Sequence, residues 1–149
     1  MEHLYHHAMM LGVRVEFTDL THLRRNGDYC HELRTIRLQD GMMPRKLRHV
    51  FAHELAHASY GDEPSILPDE DARQERRADE WAAHFLIDAG EYRDAEERHS
   101  GKIDAIAADL YVIDRTVEAY RRTLHRIGNT VYVKPRHGIG QYAHRFEAA

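Results

Sequence analysis

The chain has 149 residues, 42% of them hydrophobic and 31% charged, and a formal net charge of −4. That size fits one domain, or one domain with a short appendage, able to bury a core without covalent staples. The single cysteine, Cys30, excludes an internal disulfide framework and a cysteine-based zinc finger, so any metal must be held by histidines and carboxylates.

Residues 2–11 read as a short helix stopped by Gly12, followed by a strand in which Val13, Val15 and Phe17 alternate with polar residues. Asn26-Gly27 is a hairpin-turn signal, and Tyr29 to Leu33 and Thr35 to Gln39 read as two further strand pieces. Pro44 suits the first turn of a helix whose Leu47, Phe51, Leu55 and Ala58 recur at helical spacing until Gly61 stops it. After an irregular loop from Asp62 to Pro68, a second helix is expected from Glu70 to Asp88, with the stripe Ala78, Trp81, Ala82, Phe85 and Leu86. The charged stretch Glu91 to His99 reads as partly helical. Lys102 to Arg126 reads as two helices split near residues 112–114, the second capped by Asp114. A strand from Thr130 to Lys134 closes at Pro135, and the tail from Arg136 carries weak signals.

The expected fold is α+β: a small antiparallel sheet of about three strands packed on two long helices, followed by a helical hairpin. Residues 1–100 form the main domain in this reading, and residues 101–149 pack on it. Met1 to Met10 carries histidines rather than a basic-then-apolar signal pattern, and no apolar run approaches the ~20 residues needed to cross a bilayer, so a cytoplasmic location is expected. The net charge argues against a dedicated nucleic-acid coat. Residues 61–100 hold thirteen acidic and five basic side chains, whereas Arg115 onwards holds seven basic and two acidic ones. The acidic block suggests a basic substrate segment.

The chemistry concentrates in His53-Glu54-Leu55-Ala56-His57. Four residues is just over one helical turn, so both imidazoles project from one face and reach a single Zn²⁺ at ~2.0–2.1 Å. Glu54 lies beside the metal and can take a proton from water. Catalytic zinc usually has three protein ligands, and no third histidine stands at the short metzincin spacing. The candidate is Glu75, eighteen positions after His57, on a flank of the second helix's apolar stripe. Asp79, one turn later on that flank, is placed to hydrogen-bond the outer nitrogen of a ligand histidine and fix its tautomer. His49 is left out, because a fourth protein ligand would close the site. His84 points away from the stripe and is expected to be exposed. Tyr60, Tyr92 and His99 are weak candidates for stabilising an oxyanion.

Arg48 to His57 (RHVFAHELAH) together with Glu75 to Leu86 (ERRADEWAAHFL) resembles the ImmA/IrrE family of metallopeptidases. The resemblance covers most of the chain and implies a gluzincin-like site with His53, His57 and Glu75 as zinc ligands and Glu54 as base. It also implies a protein substrate, a helix-turn-helix repressor of a phage or mobile element. Where family members often carry a Leu-Leu-Met-Pro-like run, this chain reads Leu86-Ile87-Asp88-Ala89-Gly90, a departure that bears on the local shape of the cleft.

A rival reading makes the C-terminal helices a DNA-binding module. Ile106-Ala107, Leu110, Val112, Val117 and Tyr120 roughly follow a helix-turn-helix pattern, with Arg115, Arg121, Arg122 and Arg126 available for phosphates. Tyr111 stands where such a turn prefers Gly, and a helical hairpin packed on the main domain accounts for the same pattern. A zinc-holding protein that binds its partner without cutting it is the remaining alternative.

Overall fold

Leu4 and Ala8, one helical turn apart, are the buried face of α1 (Glu2–Leu11), and Gly12 ends that helix in the left-handed conformation at φ 65°. In the computed structural model, which describes residues 1–127, 130–133 and 144–147 and side chains up to residue 124, the chain then enters β1 (Arg14–Thr18). A single 3-10 turn leads to β2 (Gly27–Cys30) and β3 (Thr35–Gln39). The strand order is β1-β3-β2, with β1 parallel and β2 antiparallel to β3.

The sheet is therefore mixed, where an antiparallel one was expected. The most apolar strand takes the centre: Ile36 and Leu38 of β3 are wholly buried, whereas β2 is half-buried along its length and remains an edge. Asn26-Gly27 is not the hairpin turn either. Gly27 opens β2, and the turn is formed by residues 31–34, where Arg34 takes φ 46° and its N–H reaches the His31 carbonyl at 3.2 Å. The strand predicted from Tyr29 to Leu33 consequently ends at Cys30.

Two long helices follow, the first packed against β2 and β3 and the second packed against the first. Pro44 opens α2 (Pro44–Tyr60), which Gly61 ends at φ 66°. Pro68 opens α3 (Pro68–Leu86), whose first turn carries Asp69, Glu70 and Asp71 against the positive end of the helix dipole. Where these helices meet, both present alanines: Ala52 and Ala56 from α2, Ala78 and Ala82 from α3, each fully buried. Side chains that small let the helix axes approach closely. Longer polar residues at the edge of this seam are thereby brought within reach of one another.

α3 is also a shared wall. Ala82 joins the core formed with Leu4, Ile36, Leu38, Phe51 and Leu55, while Ala83 joins a second core with Tyr92, Ile106, Val112, Val117 and Tyr120. That second core is built by α4 (Ala89–Arg98), α5 (Ile103–Asp109) and α6 (Asp114–Thr123). The Asp88 carboxylate caps α4, accepting from the N–H groups of Gly90 and Glu91 at 2.8 and 3.0 Å. Asp114 is the first helical residue of α6 rather than its cap, a role taken by Ile113.

The helix expected to run to Arg126 ends at Thr123. Residues 124–127 form β4 (Leu124–Ile127), antiparallel to β5 (Thr130–Val133), which pairs in turn with β6 (His144–Glu147). The β-branched and aromatic run Thr130-Val131-Tyr132-Val133 favours a strand, and residues 124–127 pair with it instead of continuing the helical spacing before them. Lys134, Pro135 and, in the tail, residues 136–143 and 148–149 lie outside the described residues. No described helix is long and apolar enough to cross a membrane.

Candidate metal centre

His53 and His57 project from one face of α2 with their Nε2 atoms 3.0 Å apart. From α3, the Glu75 carboxylate reaches between them, one oxygen 3.3 Å from His53 Nε2 and the other 3.3 Å from His57 Nε2. A tetrahedral ion with bonds of 2.0–2.1 Å sets its ligand atoms about 3.3 Å apart. The three donors have that spacing, and two imidazoles with a carboxylate are a donor set that suits zinc.

The outer nitrogens are fixed as well. His53 Nδ1 lies 3.0 Å from Asp79 Oδ1, and His57 Nδ1 lies 3.0 Å from Asp62 Oδ2. Each ring can donate its Nδ1 proton to a carboxylate and turn the Nε2 lone pair inward. An arginine backs each carboxylate. Arg115 of α6 holds Asp79 Oδ2 through Nη2 at 2.8 Å and Nε at 3.0 Å, and Arg77 hydrogen-bonds Asp62 while its guanidinium lies 3.8 Å over the Tyr60 ring. Asp79 was anticipated from the sequence; Asp62, Arg77 and Arg115 were not. The one signal for Asp62 was its position directly after the Gly61 stop, where the chain folds back over the last helical turn.

Glu54 is buried beneath the same site, and burial pushes its carboxyl up to about 7 against the pull of His53 and His57. Burial alone would lower His53, yet hydrogen bonds to Asp79 and Glu75 outweigh it and raise the ring to about 9. His57 is raised in the same way, with Glu75 the chief partner. The two histidines in turn hold Glu75 well below the usual carboxylate range. Metal ligation needs unprotonated Nε2 atoms. Metal uptake at pH 7 is therefore expected to release roughly one proton or more, and affinity to climb with pH until about 9. Titration calorimetry in two buffers of different ionisation enthalpy measures the release; identical heats would refute it.

A cavity of about 370 Å³ opens above these groups, between β2, α2, the loop after Gly61 and α3. Gly27 forms its wall where β2 crosses α2. A Cβ there would stand 2.7 Å from Val50 Cγ1 and 3.1 Å from Glu54 Oε1, which is why this position carries glycine. Gly27→Ala is expected to cost about 1–3 kcal/mol by overpacking, a melting temperature lower by roughly 3–10 °C. Because the added methyl displaces Glu54, any hydrolytic activity should fall further than stability does; unchanged melting and rate would show that the wall yields freely.

A second donor set, His49, His53 and Asp79, also satisfies metal-ligand spacing. It draws on the other nitrogen of His53, and Arg115 already occupies the second Asp79 oxygen, so a cation there would meet a guanidinium. His49 Nδ1 lies 2.9 Å from Thr116 Oγ1, and burial pushes the ring down to about 4. It reads as a neutral hydrogen-bonding residue tying α2 to α6.

Other expectations are revised. His84 is not exposed: its Nε2 lies 2.8 Å from Thr123 Oγ1 and its ring packs on Tyr120. Of the oxyanion candidates, Tyr60 lies under Arg77, Tyr92 accepts a hydrogen bond from Arg121 in the second core, and His99 contacts Asp109. None of them lines the cavity, whereas Tyr29 and Arg115 do. Leu86 to Gly90, where the chain departs from the resemblance, also lies away from it. Among the arginines considered for phosphate contact, Arg115 pairs with Asp79, Arg121 with the Gly101 carbonyl, and Arg122 with Glu80. The side chain of Arg126 lies outside the described residues.

An HExxH helix crossed by a second helix that supplies a glutamate defines a metallopeptidase-like domain. Residues 8–138 match the peptidase M78 family, described as the IrrE N-terminal-like domain, and the chain belongs to that family. None of the curated proteins matches the chain.

Proposed function

We propose that the protein is a zinc-dependent endopeptidase in which His53, His57 and Glu75 hold the metal and Glu54 is the general base. The convergence of three donors at 3.0–3.3 Å, with a buried carboxylate beside them, carries this reading. When bound, zinc supplies a Lewis acid that polarises a carbonyl and brings the pKa of water at the site towards ~7. With the ring protons displaced on ligation, the charge of the bound ion would favour the ionised form of Glu54. That carboxylate accepts a proton from the attacking water and passes it to the leaving amine. Asp79 and Asp62 keep both rings in the tautomer that the ligand role requires.

The substrate in this proposal is a protein, a helix-turn-helix repressor of a phage or mobile element, cut in the cytoplasm where Cys30 stays reduced. The family resemblance supports that substrate. The test is elemental analysis of the purified protein, followed by incubation of the zinc-loaded form with such a repressor, with and without chelator. About one zinc per chain and chelator-sensitive cleavage support the reading. One zinc with an intact repressor would leave a binding protein, and no zinc even after reloading would remove the reading altogether.

A further inference from the structure

We infer that the cavity is charge-polarised and selects a peptide segment bearing an acidic side chain on one side of the scissile bond and a basic one on the other. The inference rests on the peptidase reading and deepens it.

Neighbours place the two ends. α3 runs antiparallel to α2, since Asp79 meets His49 and His53 whereas Glu75 meets His53 and His57. One turn before Glu75, Asp71 therefore lies past His57. Glu63 lies at that same end, directly after Asp62, which holds the His57 ring. β2 runs in the direction of α2: Gly27 abuts Val50 and Glu54, and His31, after the strand, abuts Gly61. Arg25, two residues before Gly27, lies towards the His49 end. Arg115 lies there too, because the adjacent Thr116 contacts His49. All four charges line the cavity and all four residues are exposed.

The remaining lining carboxylates are largely satisfied internally. Asp28 pairs with Arg37 at 2.6 Å, Asp62 with Arg77, and Glu75 with the two rings. Among the described residues, no ion pair engages Arg25, Glu63 or Asp71. Arg115 is paired with Asp79, and Arg122, 3.9 Å from that carboxylate, is paired with Glu80, so Arg25 is the cation at that corner that no described ion pair engages. Of the acidic block of residues 61–100, Asp62, Glu63, Asp71 and Glu75 line the cleft.

His49 and His57 are eight residues apart on α2, about 12 Å along the axis. An extended peptide covers that span in about four residues at ~3.3 Å each. The substrate charges accordingly flank the cleaved bond at about two residues on either side.

The test uses four peptide pools with a common randomised four-residue centre, flanked by Lys and Glu, by Glu and Lys, by Lys on both sides, or by Glu on both sides. Binding is read by fluorescence anisotropy on zinc-loaded Glu54→Gln protein, and cleavage on the zinc-loaded natural sequence. One charge-separated pool should bind and be cut about fivefold or more better than either like-charged pool, a margin set by the usual worth of a rim charge. That margin should shrink as salt is raised. The charge swap R25E/D71K, which leaves Arg115 and Glu63 in place and so puts one charge of either sign at each end, should erase the preference. Four pools within about twofold of each other, or a lead for either like-charged pool, would overturn the inference, since a like-charged pool must set one charge against a residue of its own sign. The two readings fail separately: ranked binding without cleavage removes the peptidase and leaves the polarity, whereas cleavage without ranking does the reverse.

Discussion

Replacing Glu54 by Gln is expected to leave the protein folded and metal-loaded while lowering peptide hydrolysis by about 10²–10⁴-fold, the range of a lost general base. The amide matches the carboxyl in size, so the buried pocket between Gly27 and α2 keeps its packing. None of the three donors that converge at 3.0–3.3 Å is touched. The fold should even gain. The Glu54 carboxyl rises from 4.5 to about 7 in the folded protein. Between those values the unfolded chain releases a proton that the folded one retains, so the natural protein loses stability as pH rises through this window and stays lower above it. Gln carries no such cost. Metal-free Glu54→Gln should therefore melt higher than the natural protein at pH 8, with a smaller difference at pH 5. A variant that still cleaves at the natural rate would remove Glu54 from the chemistry.

Much of this site was legible because helical periodicity is a local property. The spacing of His53 and His57 needs only 3.6 residues per turn, and the stripe of α3 carries Glu75 and Asp79 on one flank whatever lies around it. Gly12, Gly61 and Pro44 mark their helix ends for equally local reasons. Strand pairing is different. Nothing in residues 14–18 says that they pair in parallel with residues 35–39, because that depends on which strand the helices bury most deeply. The same non-local competition turned residues 124–126 from helix to strand and made Gly27 a point of close approach instead of a turn. Arg115 and Arg77 escaped for a related reason. An exposed arginine on an amphipathic helix carries no periodic signal, and its role exists only once α6 lies against α3 and Asp62 folds back over His57.

The two arginines bear on how firmly the ligand rings are held. Each ring is fixed by a carboxylate and each carboxylate by a guanidinium, so the orientation of His53 depends on α6 and that of His57 on the first half of α3. Burial by itself would raise the Asp79 carboxyl; the hydrogen bonds from His53 and Arg115 reverse that and keep it low. Asp79 thus remains an acceptor over the range in which the ring must donate to it.

Glu75→Ala is expected to abolish stoichiometric zinc binding while leaving the fold intact. The Glu75 side chain is 49% exposed, so its truncation opens no cavity and removes no core packing. Losing an outer partner of a metal ligand costs about 10–100-fold in affinity, and losing the ligand itself should exceed that range. Two imidazoles then remain, with Nε2 atoms 3.0 Å apart and no carboxylate between them. The variant also decides between the two donor sets that share His53. If the ion sat among His49, His53 and Asp79, Glu75→Ala would bind zinc as well as the natural chain, and so would His57→Ala. With His53, His57 and Glu75 as ligands, both variants fail to hold zinc, whereas His49→Ala, which loses contacts with Thr116 and Asp79, keeps the metal. Competition with a chromophoric chelator reads all three affinities. Secondary structure followed in parallel separates a lost ligand from a lost fold.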